Sequence, residues 1–312
     1  MAAFMSSPLM TRSPSLTSLA AVTPVLSLAE TLNVSPPLSP PPSPPLLLGH
    51  RGSPYTYFEN TLPSFLSSSL HSDGIEIDIF PLLDDTLVCY HGKGNDKECG
   101  FMIDSHGIDI SIKELTFTDL PKAILPSFGD KACEIGEGEE VEIPRLEDVL
   151  ERFKGQGFIV TVELKSDNTE KLLVDLLKKI AYPLSCITVS SFHHPFLQTV
   201  KALNPLIQTA CLFNSPLPSD YISQTQEIGA SECHLRYDTC TKENVEKAKE
   251  EGLKVMSWCS GPKRMSEEVW SDVGNEDEDF YNVILRTGVD KVCVNKPDLA
   301  RKVMNKIWGD NN

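Results

Sequence analysis

No apolar run in this sequence approaches the roughly 18–20 residues that cross a bilayer, so it offers no transmembrane segment. Nor does it contain a Cys-x-x-Cys pair. Its nine cysteines, at 89, 99, 133, 186, 211, 233, 240, 259 and 293, are an odd number, many of them in apolar runs. That pattern argues against a zinc site and for buried free thiols in a reducing compartment. Positive charge is scarce: 28 Lys and Arg stand against 44 Asp and Glu, a formal charge of −16. The balance argues against nucleic acid and anionic membranes as general partners. Within residues 1–45, Arg12 is the only basic residue. The segment therefore lacks the Arg content of a transit peptide and the charged n-region of a secretory signal. A cytoplasmic protein is the expectation, although the Ser-rich, acid-poor start leaves organelle targeting open.

What is present divides at Leu46. Residues 1–45 are rich in Ser, Pro and Thr, and 36–45 are nearly all proline and serine. Such a segment builds no regular core and is read as a disordered N-terminal tail. From 46 to 312 the sequence alternates. Apolar runs of strand length stand at 46–50, 75–80, 158–164, 186–192, 207–213, 231–236, 254–260 and 291–295. Amphipathic stretches separate them. In 170–180, Leu172, Leu173, Leu176, Leu177 and Ile180 share one helix face, with Asn168 or Thr169 as a cap. Another helix follows Pro144, with Leu146, Val149 and Leu150 as its stripe, and a third spans 241–251 and stops at Gly252. Eight strands alternating with helices predict an α/β fold, a (β/α)8 TIM barrel. A doubly wound sheet is the alternative, but its Gly-rich phosphate loop is missing. The stretch 92–143 is too long for a plain loop and is read as a small insertion after the second strand. It includes 108–112, a short helix near 117–123 and the acidic run 134–142. The acidic segment 266–279 is read as a solvated surface loop.

The chemistry gathers in Leu46–His91. A short apolar run delivers His50 and Arg51 at its C-terminal end. In 75–80, Ile75, Ile77 and Ile79 take one face of a strand, which puts Glu76 and Asp78 together on the other. Adjacent carboxylates repel unless a positive group lies between them, and a divalent cation is the economical one. A further strand, 86–90, leads to His91. Glu163 falls at another strand end, and Lys165 points the same way two residues on. Three carboxylates without cysteine partners suit a hard cation, Mg²⁺ or Ca²⁺.

His50-Arg51-Gly52, Glu59-Asn60-Thr61, Glu76-x-Asp78, His91 and Val162-Glu163-Leu164-Lys165 resemble, in order and spacing, the motifs of the glycerophosphodiester phosphodiesterase family. Ser191-Phe192, Trp258 and the run from Gly288-Val289-Asp290 to Pro297-Asp298 extend the resemblance to about Val303. It implies a metal-dependent TIM-barrel hydrolase that cleaves glycerophosphodiesters to sn-glycerol 3-phosphate and an alcohol. It implies metal ligation by Glu76, Asp78 and Glu163, with Glu59 either a fourth ligand or a holder of Arg51. His50 and His91 correspond to the acid–base pair. Arg51 and Lys165 are available to offset phosphate charge. Trp258 and Phe192 are expected in the pocket wall. Gly92 stands where the family usually has Asp. Two other readings compete: a phosphodiesterase of lysophospholipase D or sphingomyelinase D type, and an inactive barrel that binds a phosphorylated ligand. The expected partners are a small phosphodiester or a lysophospholipid.

Overall fold

The computed structural model describes residues 43–91, 101–103, 109–120, 142–260 and 276–309. Residues 1–42, 92–100, 104–108, 121–141, 261–275 and 310–312, which include most of the predicted tail and insertion, lie outside the described residues. Eight parallel strands close a barrel: β1 (Leu46–His50), β2 (Gly74–Pro81), β6 (Ile159–Leu164), β7 (Ile187–Ser191), β8 (Gln208–Phe213), β9 (Glu232–Arg236), β10 (Lys254–Trp258) and β11 (Lys291–Val294). Each lies within two residues, at either end, of the run predicted for it. Closure is made by β1, which pairs in parallel with both β2 and β11. Helices fill every crossover: α1 (Leu62–Ser69), α2 (Leu146–Phe153), α3 (Thr169–Lys179), α4 (His194–Leu203), α5 (Tyr221–Ile228), α6 (Lys242–Glu250) and α7 (Glu278–Ile284), with α8 (Pro297–Trp308) after the last strand. The fold is a (β/α)8 TIM barrel. No described helix is long and apolar enough to cross a membrane.

The period-2 pattern of β2 sorts its side chains between two buried environments. Ile75, Ile77 and Ile79 join the apolar layer under the helices, beside Val160, Val162 and Leu164 of β6. Glu76 and Asp78 point into the barrel, and all eight residues of the strand are buried. Between β2 and β6, β3 (Leu87–Cys89) runs antiparallel to β2. A two-stranded sheet, β4 (Phe101–Ile103) with β5 (Asp109–Ser111), follows. Phe80, Leu82, Val88, Tyr90, Ile112 and Ile143 form a separate small core there. Of the helix predicted near 117–123, the described residues form a single 3₁₀ turn, Phe117–Asp119, and 121–123 lie outside the described residues. Asn168 occupies the N-cap position of α3 but in a left-handed conformation, φ 64°, and its side chain caps nothing. Among the described cysteines, Cys186 is half-buried, the other six are buried, and all seven are free thiols.

Below the site, the barrel interior carries a polar brace. Lys291 Nζ on β11 donates to both Glu232 oxygens on β9 at 2.8 Å and to Thr188 Oγ1 on β7 at 3.3 Å. His234 Nε2 lies 3.0 Å from Glu232 Oε2. Burial lowers the His234 pKa, so the neutral ring donates. Burial alone would raise the Glu232 carboxyl; the His234 hydrogen bond and the Lys291 charge outweigh it and hold the group at about 2.

Two predictions follow from this packing. At Gly52, φ is +92° and an added Cβ would meet the backbone carbonyl carbon of Ser64 in α1 at 2.6 Å. Gly52→Ala should cost more than about 1 kcal/mol, read as a lowered Tm. Glu232 is depressed from 4.5 to about 2, so its stabilisation is present above the unfolded value and lost as pH falls through the folded one. Glu232→Gln should be less stable at neutral pH but should lose less stability on acidification through that window. Urea titrations across pH would show a parallel loss in both proteins if the brace does not act this way.

Candidate active site

The C-terminal end of β1 sets the geometry. Arg51 follows the strand with φ 55°, and Asn60 repeats the left-handed conformation with φ 57°. Non-glycine residues hold this region only where their surroundings impose it. Here the Arg51 N–H donates to the Glu76 carbonyl and the Asn60 N–H to the Arg51 carbonyl, both at 3.0 Å. Thr61 caps α1 by accepting from the Ser64 N–H. The short loop thereby turns Arg51, Glu59 and Asn60 back over the barrel mouth.

Arg51 and Lys165 neutralise the acids around them. Arg51 Nη1 donates to both oxygens of Glu59 at 3.0 Å. Its Nε sits 2.9 Å from Asp78 Oδ2, close enough for a Coulombic contact but not aligned for a hydrogen bond. Lys165 Nζ lies 3.1 Å from Asp78 Oδ1 and 2.7 Å from Glu163 Oε1. Asn60 completes the Asp78 shell: its Nδ2 donates to Oδ2 at 2.9 Å, and its Oδ1 accepts from the Asp78 N–H at 3.1 Å. Burial would raise the Asp78 carboxyl, but Arg51, Lys165, His91 and His50 together hold it far below the usual range. Burial, then the charges of Asp78 and Glu163, push Glu76 well above its usual value. Burial would lower the Arg51 pKa, yet Asp78, Glu59 and Glu76 outweigh it and keep the guanidinium charged.

One ligand atom from each of Glu76, Asp78 and Glu163 lies within 4.8 Å of the other two, and all three residues are buried. Glu76 Oε1 is buried and accepts no hydrogen bond. A buried, unpartnered carboxylate oxygen facing two other carboxylates fits a hard divalent cation, which would satisfy it and offset the charge. Glu59 stands outside this group. Of its two predicted roles, the structure shows the hold on Arg51.

The histidines flank the acids. Buried His50 places Nδ1 2.8 Å from Asn295 Oδ1 and Nε2 3.8 Å from Glu76 Oε2. Burial first, then the Arg51 charge, lowers its pKa to about 3, so the ring is neutral. His91, also buried, follows β3. It acts electrostatically on Asp78. Phe192 and Trp258 meet edge to face, ring centres 5.5 Å apart. Lys165 Nζ lies 5.9 Å from the Phe192 ring centre. The Trp258 Nε1–H donates to the Phe213 carbonyl at 3.3 Å. The structure thus brings every predicted site residue to one end of the barrel.

The reading of 266–279 as a solvated loop is wrong for Glu276, which is fully buried. It accepts from the backbone and side-chain amides of Asn295 and from the Tyr281 hydroxyl. Its place in a run of four acids, Glu276–Asp279, hid it, because charge patterning cannot single out one buried member. Asp277 and Glu278 do behave as surface groups: Asp277 caps α7, and Glu278 pairs with Lys302 and Lys306.

A family model for the glycerophosphoryl diester phosphodiesterase family matches residues 50–299. The chain belongs to that family. It is accordingly a phosphoric diester hydrolase of the glycerophosphodiesterase type. A candidate glycerophosphodiester phosphodiesterase from Galdieria sulphuraria is 26% identical, with a TM-score of 0.68 over 84% of this chain and 98% of that one. An Oleispira antarctica phosphodiesterase, solved with the product sn-glycerol 3-phosphate, has a TM-score of 0.64 at 22% identity, over 84% and 97% of the two chains. Uncharacterized protein YqiK from Bacillus subtilis (strain 168) is 25% identical over 177 residues, 55% of this chain and 68% of that protein.

The ion-pair geometry yields a prediction. Lys165→Met would leave Asp78 and Glu163 short of a buried positive partner, and breaking such a pair costs about 3–5 kcal/mol. Added Mg²⁺ or Ca²⁺ should recover part of the lost Tm, because the ion binds the folded state at the same carboxylates. An unchanged Tm in Lys165→Met would contradict the assigned charge balance.

Proposed function

We propose that the protein hydrolyses glycerophosphodiesters to sn-glycerol 3-phosphate and an alcohol, with a divalent cation held by Glu76, Asp78 and Glu163. The observation that carries this reading is the buried three-carboxylate group, with its unpartnered Glu76 oxygen, beside Arg51, Lys165 and two histidines. Bound there, the cation supplies positive charge to a phosphoryl oxygen. Arg51 and Lys165 add fixed charge on the same side of the mouth, in a buried setting where it acts strongly. His50 and His91 move protons between the attacking oxygen and the leaving alkoxide. Phe192 and Trp258 form an apolar wall for the uncharged part of the substrate. The product seen in the Oleispira antarctica enzyme supports the choice of diester. Residues 46–312 are proposed as the catalytic domain.

The test is release of glycerol 3-phosphate by the full chain from a panel of glycerophosphodiesters and one lysophospholipid. EDTA should abolish release, and Mg²⁺ or Ca²⁺ should restore it. His50→Ala should lower the rate by about 10²–10⁴. Release of free choline from the lysophospholipid alone would move the activity to a lipid phospholipase D. Full activity in EDTA would remove the cation from the mechanism.

A further inference from the structure

His50 has two ring nitrogens, and only one can face the carboxylate group. Nδ1 meets the Oδ1 of Asn295, the residue after β11, at 2.8 Å. The other end of the Asn295 amide is fully committed. Its Nδ2 donates to the Ser260 carbonyl at 2.8 Å and to Glu276 Oε1. Its backbone N–H donates to Glu276 Oε2 at 3.1 Å, and that oxygen also accepts from the Tyr281 hydroxyl. Reversing the amide would set its oxygen against a carbonyl and a carboxylate, so two acceptors fix its direction. An amide oxygen only accepts. The proton therefore sits on Nδ1 of His50, and Nε2 presents a lone pair toward Glu76 Oε2, 3.8 Å away. Asn295, Glu276 and Tyr281 are all buried, which shields the chain of bonds from water.

We propose that Glu276 and Asn295 are positioning residues that lock His50 in the Nδ1–H form, so that His50 accepts the proton through Nε2 and His91 is left to donate one. The assignment of acid and base rests on the proposed function; the locked ring form does not. Neither residue belongs to the three-carboxylate group. Glu276 acts through Asn295, and Asn295 through His50.

Long-range ¹H–¹⁵N spectra of the histidine rings in the full-length protein test the lock directly, with His50 assigned by difference from His50→Gln. The wild type should show a protonated Nδ1 and an unprotonated Nε2 at His50. Asn295→Leu should lose that preference. Its kcat should fall about 10–100-fold with KM unchanged, the usual scale for a group that orients a ligand or base. Glu276→Gln alone should lower kcat less. Asn295→Asp alone places two carboxylates together and should be poorly active. Combined with Glu276→Gln it restores an acceptor for His50 and a donor behind it, and should recover most of the rate. An Nε2–H form in the wild type would overturn the proposal. So would an unchanged kcat in a folded Asn295→Leu, or no rescue by the double variant. If the wild type turns over no diester, the substrate reading fails, and the ring spectra still decide the lock.

Discussion

The site depends on an unequal count of buried charges. Glu59, Glu76, Asp78 and Glu163 share the barrel mouth with two cationic side chains, Arg51 and Lys165. Four acids against two bases leave two negative charges uncompensated if all four ionise. Burial makes that arrangement expensive, and Glu76 carries the excess as a carboxyl pushed well above its usual range. Asp78, gripped by Arg51, Lys165 and Asn60, stays ionised. A divalent cation held by Glu76, Asp78 and Glu163 would supply the missing two charges at the place where they are missing. The group would then be neutral overall, which would remove the local repulsion that four ionised acids would pose to an anionic substrate in a protein whose overall charge is −16.

Much of this was legible in the residue order, for identifiable reasons. The period-2 alternation of Ile75, Ile77 and Ile79 with Glu76 and Asp78 specifies a strand with one apolar and one acidic face, whatever its neighbours. The β-strand ends were readable because parallel-barrel strands are buried on both faces and stand out as short apolar runs. The clamp behind His50 was not readable in the same way. Glu276 and Asn295 lie 19 residues apart, and Asn295 and His50 lie 245 apart. Pairing of β1 with β11 closes the barrel and brings Asn295 to His50, and nothing in the local pattern of an acidic run marks the member that turns inward. Glu59 shows an intermediate case. Its motif indicated a functional acid, but the choice between cation and guanidinium required the two 3.0 Å bonds to Arg51.

The barrel interior is correspondingly polar for a folded core. The Lys291–Glu232–His234 brace lies below the site with Thr188, and each charged member is paired. Breaking such a network by single substitution leaves a partner stranded, whereas replacing it as a unit by apolar residues need not destabilise. Nothing in the mechanism uses these residues; their hydrogen bonds tie β7, β9 and β11 together inside the barrel.

The double pairing of β1 has a consequence for synthesis. His50 and Arg51 emerge from a ribosome before Glu76, Asp78 and Glu163. Yet β1 finds its second neighbour, β11, and His50 finds Asn295, only after 245 further residues have been made. A nascent chain thus carries its acidic residues and histidines long before their final geometry exists. Competence for phosphodiester chemistry arrives abruptly, with the docking of the last strand, and truncated translation products are denied a closed active site by topology alone.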